Sequence, residues 1–251
     1  FDFSIVDDAA LRAQIEGCQS ALQPLFVTDC WRTAWVVQHG SAMIEVALDR
    51  GRVICGERQL PICELELELC DGSLADLFAF ALSLQRDLPL QAMVESKAER
   101  GYRLFLNTPD GAHKAADLVL SRQMNVVHAF RQVALNCLEH LQRNVPGAIA
   151  GIQPEFVHQA RVALRRLRAA LGEFAPVLPA AFVAPAGQAF RELARALGEV
   201  RDLDVFAAET LPMLCRRFPE DVMLKRLPEA VRASSLMAHR NMVSVFSSRE
   251  Y

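Results

Sequence analysis

Residues 157–171 read VHQARVALRRLRAAL, and the spacing of apolar residues in this stretch predicts an amphipathic helix. Val157, Ala160, Leu164, Leu167 and Leu171 mark its apolar face. His158, Arg161, Arg165 and Arg168 follow one another at spacings of three, four and three, so they form a second stripe covering roughly 15 Å of helix. No Glu or Asp interleaves with these cations, and they repel one another unless something anionic lies over them. Arg166 falls outside both groups and reads as a solvated charge.

This stretch, followed after a Pro-rich turn by FRELARALGEVRDLDVF, resembles the CHAD domain, the conserved-histidine α-helical domain whose family binds inorganic polyphosphate. His158 matches the histidine that names the family, and Arg191, Arg195, Arg201, Asp202 and Asp204 match its second basic segment. The resemblance implies a polyphosphate site made of His158, Arg161, Arg165, Arg168, Arg191, Arg195 and Arg201, on an all-α helical bundle over residues 117–251. Asp202 and Asp204 also offer Arg201 an intramolecular ion pair. For His158 two roles stay open: a protonated ring on a phosphate, or a neutral ring bonded to a neighbouring helix.

Charge divides the chain. The formal net charge of −3 over 251 residues splits into −7 for residues 1–115 and +4 for residues 116–251, which favours two domains. Seven cysteines, without a C-x-x-C pair, read as reduced thiols. No apolar run approaches a membrane span, so the expected compartment is the cytoplasm, where the CHAD resemblance implies association with polyphosphate granules. The chain begins FDFSIVDDAAL without an initiator Met, which reads as a piece of a longer protein.

The acidic half is β-rich. Residues 7–22 read as a short helix, after which LFVTDCWRTAWVVQ, SAMIEVALDRGRVICG and PICELELELCDG predict at least four antiparallel strands, with turn signals at His39-Gly40, Asp49-Arg50-Gly51 and Asp71-Gly72. A helix is expected at SLADLFAFALSLQRDL with Ser73 as N-cap, then one or two short extended pieces over 90–106. After a PDGAHK turn near Pro109 the rest reads as helix punctuated by Pro146, Pro176, Pro179, Pro185, Pro212, Pro219 and Pro228.

Residues 64–69, ELELEL, decide the chemistry expected of this half. Alternation puts Glu64, Glu66 and Glu68 on one face of a strand and Leu65, Leu67 and Leu69 on the other. Three carboxylates on one face suit either solvent or a hard cation such as Mg²⁺, which takes carboxylates together with substrate phosphates. Glu45 and Asp49 share a face of their own strand.

In order, FVTDCWRTAW, IEVALDRG, ELELEL and SKAERGYRL resemble the C-terminal part of a CYTH domain, the triphosphate tunnel metalloenzyme family. The resemblance implies an α+β chain: part of an antiparallel β-barrel tunnel over residues 1–110, then the helical bundle. It implies Mg²⁺ or Mn²⁺ held by Glu64, Glu66, Glu68 and Asp49, catalytic roles for Glu64, Glu66, Lys97 and Arg32, and tripolyphosphate as the substrate. The family's E-x-E-x-K strand has no match before Glu45, so this chain is expected to be inactive by itself, and open strand edges leave room for a homo-oligomer. Two other functions compete: a non-catalytic helical scaffold, and a nucleic-acid binder using the same basic face. The acidic net charge and the lack of aromatics among the cations argue against nucleic acid.

Overall fold

The computed structural model describes residues 2–108 and 111–247. It divides into two compact units, Phe1–Ala81 with Glu95–Pro109 and Leu82–Val94 with Asp110–Tyr251. The first is built on antiparallel strands and the second on helices, so the chain is α+β.

In the first unit a short helix α1 (Ala9–Gly17), capped by Asp8, precedes strands β1 (Val27–His39), β2 (Ala42–Cys55) and β3 (Arg58–Asp71). These form one antiparallel sheet in the order β1-β2-β3, so among the described residues there are three long strands instead of four, and the sheet is open. Both hairpin loops have two residues, with Gly40 (φ 57°) and Gly56 (φ 59°) at the first position, as type II′ turns demand. The expected Asp49-Arg50-Gly51 turn does not form. These residues lie inside β2, and Gly51 is there because a Cβ would come within 2.1 Å of the Asp29 carbonyl oxygen on β1.

The two faces of the sheet have different covers. Ala42, Ile44 and Val46 are buried with Leu65, Leu67 and Leu69 beneath Leu77 and Phe80 of α2 (Leu74–Asp87). Ser73 accepts from the Ala75 N–H, and Asp76 fastens the helix by accepting from both the backbone N–H and the hydroxyl of Ser41. The opposite face carries α3 (Lys97–Leu106), where extended backbone was expected. Its start is a capping box, with Ser96 Oγ accepting from the Glu99 N–H and Glu99 returning the bond to the Ser96 N–H. Asn107 ends it in the left-handed conformation and accepts from Arg58 at 2.6 Å.

The second unit packs α4 (Val126–Ala150), α5 (Pro154–Phe174), α6 (Ala180–Val205), a π turn at Phe206–Thr210, α7 (Leu211–Arg217) and α8 (Val222–Phe246). The apolar face expected of α5 is buried to the last residue, from Val157 to Leu171. Gly147 of α4 lets Phe156 of α5 approach, since a Cβ there would meet the ring at 2.3 Å. Prolines punctuate less than expected: Pro146, Pro185 and Pro228 lie inside helices, and α4 stops at Gly151, in the left-handed conformation at φ 63°. The helix expected to follow residue 114 begins at Val126, and the PDGAHK turn lies partly outside the described residues.

Candidate functional site

Strand register assembles the acidic cluster. Arg32 of β1 stands opposite Asp49 of β2, and Asp49 opposite Glu64 of β3, so the three side chains share one face with Glu66 two residues on. The remaining cations come from α3, whose Gly101 lies against the Phe26 ring. That contact seats the helix with Lys97 and Arg100, one turn apart, over the carboxylates.

The ion pairs close into a network. Arg32 forks onto Asp49, Nε to Oδ1 at 2.8 Å and Nη2 to Oδ2 at 2.7 Å, and Nη2 also reaches Glu66. Lys97 Nζ donates to Asp49 Oδ2 at 2.7 Å, to Glu66 Oε1 at 2.6 Å and to Glu64. Arg100 donates to the other oxygen of Glu64. Asp49 is fully buried and Glu66 is 47% exposed, so the network runs from the interior outward.

Charge complementarity sets the protonation states. The Arg32 guanidinium, and after it Lys97, hold the Asp49 carboxyl far below the usual carboxylate range against the opposing effect of burial. Glu66 is lowered first by its hydrogen bond from Lys97 and then by Arg32. Burial works against the charge on Lys97, yet its bonds to Asp49, Glu64 and Glu66 outweigh it and raise the ammonium pKa. Arg32 is raised by Asp49 and Glu66. Asp49, Glu66, Lys97 and Arg32 are therefore ionised at neutral pH.

One oxygen each from Asp49, Glu64 and Glu66 lies within 4.8 Å of the others, a set of hard donors that suits a divalent cation. The Lys97 ammonium, bonded to all three carboxylates, marks where positive charge is best stabilised. Glu68 stands opposite Glu45, outside this group. Arg100 was not foreseen, although the S-x-x-E start at Ser96 announces the helix that delivers it.

In the helical unit the basic residues divide. Arg165 and Arg168 of α5 and Arg191 of α6 line one open groove of about 670 Å³ together with Ala169, Leu171, Gly172, Val183, Ala184 and Gly187. Arg161 points elsewhere, to the Gly198 carbonyl at 3.4 Å and to Asp202 at 2.9 Å, so Asp202 serves Arg161 and not Arg201. Burial pushes the Asp204 carboxyl up, with Arg201 and His239 acting in the other direction. His158 is half-buried on α5, Arg195 is exposed on α6 and Arg201 is half-buried, none of them lining the groove. Arg166, read as solvated, is half-buried and donates to Asn136 at 2.9 Å.

Comparison with known proteins follows the same division. Residues 2–102 match the CYTH domain, and residues 132–251 match the CHAD domain. The carboxylate network thus lies within the CYTH stretch and the basic groove within the CHAD stretch. Over 85 residues the chain is 46% identical to the inorganic triphosphatase of Haemophilus influenzae, which covers 34% of this chain and 24% of that protein. The chain therefore spans about a quarter of the length of this relative. Among solved structures it is similar to the CHAD domain of the plant Ricinus communis, 32% identical over 56% of this chain and 46% of that one, with a TM-score of 0.47. No helix among the described residues is long and apolar enough to cross a membrane.

Proposed function

We propose that this chain belongs to a longer cytoplasmic protein that hydrolyses inorganic triphosphate at the CYTH carboxylate site and binds polyphosphate at the CHAD groove. The observation that carries the reading is the joining of Asp49, Glu64 and Glu66 with Arg32, Lys97 and Arg100 into one network on a CYTH-matching sheet. The chain spans about a quarter of the triphosphatase it resembles, and in this reading further strands complete the tunnel.

Asp49, Glu64 and Glu66 would hold Mg²⁺ or Mn²⁺, and the metal would supply an activated water and charge neutralisation on the phosphates. Arg32 lies on the same face and can turn its outer edge to a phosphate oxygen while Asp49 fixes its inner edge. With a cation on these carboxylates, Lys97 would be free to neutralise substrate oxygens, and Arg100 would keep Glu64 oriented. Glu68 and Glu45 extend the acidic face toward solvent. In the CHAD stretch, Arg165, Arg168 and Arg191 form the centre of the polyphosphate site, with His158, Arg161, Arg195 and Arg201 extending it. The small residues in its lining, Ala169, Gly172, Ala184 and Gly187, let a thin, unbranched polyanion come close to both helices.

The test is titration of the purified chain with Mn²⁺, followed by its paramagnetic resonance signal. Asp49→Asn, Glu64→Gln and Glu66→Gln should each weaken binding at least tenfold. Unchanged affinity in all three variants would withdraw the metal assignment.

A further inference from the structure

Residues 112–116 belong to the helical unit but carry no helix, and a ladder of three side chains holds them. Asn136, His140 and Asn144 lie four residues apart along one face of α4. Asn136 Nδ2 donates to the Ala116 carbonyl at 3.2 Å. His140 Nε2 meets the His113 carbonyl at 3.0 Å, Asn144 Nδ2 donates to the same oxygen at 3.0 Å, and Asn144 Oδ1 accepts the His113 N–H at 3.0 Å. Ala112 packs against the helical core. All these bonds go to backbone, and they satisfy groups that the helix expected here would have paired internally.

The proton on His140 is fixed by its neighbours. Gln159 donates its amide nitrogen to Glu155 at 2.7 Å, so its oxygen faces His140 Nε2 at 3.1 Å. With two carbonyl oxygens in front of it, Nε2 carries the hydrogen. Nδ1 is then a bare lone pair, buried without a partner on a residue only 3% exposed. A second proton there would be a buried donor and a buried charge with no acceptor.

We infer that residues 112–116 are a strap clamped to the helical unit by neutral His140, and that protonation of His140 releases it. The surroundings favour this response. On α4 its neighbours in sequence are the buried Cys137 and Glu139, whose carboxylate is paired with Arg143 at 2.9 Å. From α5 come Arg166, which disfavours a second positive charge, and Glu155, held by Gln159; the strap itself brings His113, which also disfavours it. Burial is the main influence lowering the ring's pKa, with the bonds to Gln159 and His113 acting against it. The sign follows. With the docked pKa below the released value near 6.5, docking is strongest above that pH, weakens as pH falls toward the docked pKa, and is constant below it. Release frees residues 112–116 from α4.

Amide hydrogen exchange of the whole 251-residue chain, corrected for the intrinsic pH dependence of exchange, tests the clamp at His113 and its neighbours. Protection should fall roughly tenfold per pH unit below about 6.5 until His140 itself titrates. His140→Gln keeps an amide donor but cannot titrate, and should hold protection flat over the same range. Asn144→Ala should expose the strap at every pH. Should His140→Gln fail to fold, the ring ¹⁵N shifts of wild-type His140 decide: they must show the Nε2–H tautomer at neutral pH and a midpoint that coincides with the end of the fall in protection. Protection independent of pH in the wild type, an equal fall in His140→Gln, or an Nδ1–H tautomer would each overturn the inference.

Discussion

Replacing Asp49 by Asn removes one charge from the centre of the carboxylate network and leaves its shape almost unchanged. Asp49 is fully buried and is bonded by Arg32 and Lys97. Removing one partner of a buried pair costs about 3–5 kcal/mol, because the remaining charge is left without compensation. Arg32 is 46% exposed, so water recovers much of its share, whereas Lys97 at 17% keeps most of its own. The expected loss for Asp49→Asn is therefore about 2–3 kcal/mol. Glu66, 47% exposed, should lose less than about 1 kcal/mol on conversion to Gln. The two tryptophans of the chain, Trp31 and Trp35, both lie on β1, so their fluorescence reports the sheet unit without interference from the helical one. In urea, with a slope of about 1–3 kcal/mol/M, the Asp49→Asn midpoint should fall by roughly 1–2 M and the Glu66→Gln midpoint by a fraction of that. Equal shifts in the two variants would refute the graded network argued here.

The same fluorescence should show stability of the sheet unit level from pH 8 to about 5 and falling below that, because Asp49 and Glu66 have depressed folded pKa values: their contribution is complete above the unfolded value near 4 and is lost as pH drops through the folded one. A plateau down to pH 3 would contradict it. Gly101→Ala drives a methyl into the Phe26 ring, 2.2 Å from the ideal Cβ, and should cost the sheet unit about 1–3 kcal/mol by urea unfolding while the helical content by circular dichroism stays cooperative. Arg165, Arg168 and Arg191 changed together to Ala should abolish polyphosphate binding at a fixed salt concentration without loss of helix, whereas Arg161→Ala should weaken it little, since Asp202 already engages that side chain; calorimetric titration distinguishes the two. In a protein that completes the tunnel, Glu64→Gln with Glu66→Gln should stop phosphate release from tripolyphosphate, and the 251-residue chain should release little with or without them.

Much of the sheet was legible because its code is short-range. The alternation in ELELEL names the two faces without any knowledge of partners, and the structure puts Leu65, Leu67 and Leu69 on the core while Glu64 and Glu66 face the cations. The same reasoning buried the right face of α5, where a period of 3.6 is written by aliphatic residues. What failed was punctuation. Asp49-Arg50-Gly51 carries a turn signature, but glycine there answers a backbone crossing at Asp29 that only the pairing of β1 with β2 creates. Three prolines read as breaks sit inside α4, α6 and α8, where tertiary packing sustains the helix across a missing bond.

The missing helix α3 had a signal, and its loss cost the site a residue. Ser96-x-x-Glu99, which spans Lys97, is the capping-box pattern, whereas the aromatic and branched residues of GYRLFL read as extended. Once the segment is a helix, Lys97 and Arg100 fall one turn apart, and Gly101 beside them becomes the contact that presses both onto the carboxylates. On a strand, residues three apart point to opposite faces, and Arg100 could not have joined Lys97 at Glu64. The secondary structure of ten residues therefore decides whether the sheet carries a lone lysine or a paired cationic clamp, and the clamp explains how three carboxylates crowd within 4.8 Å of one another on one face.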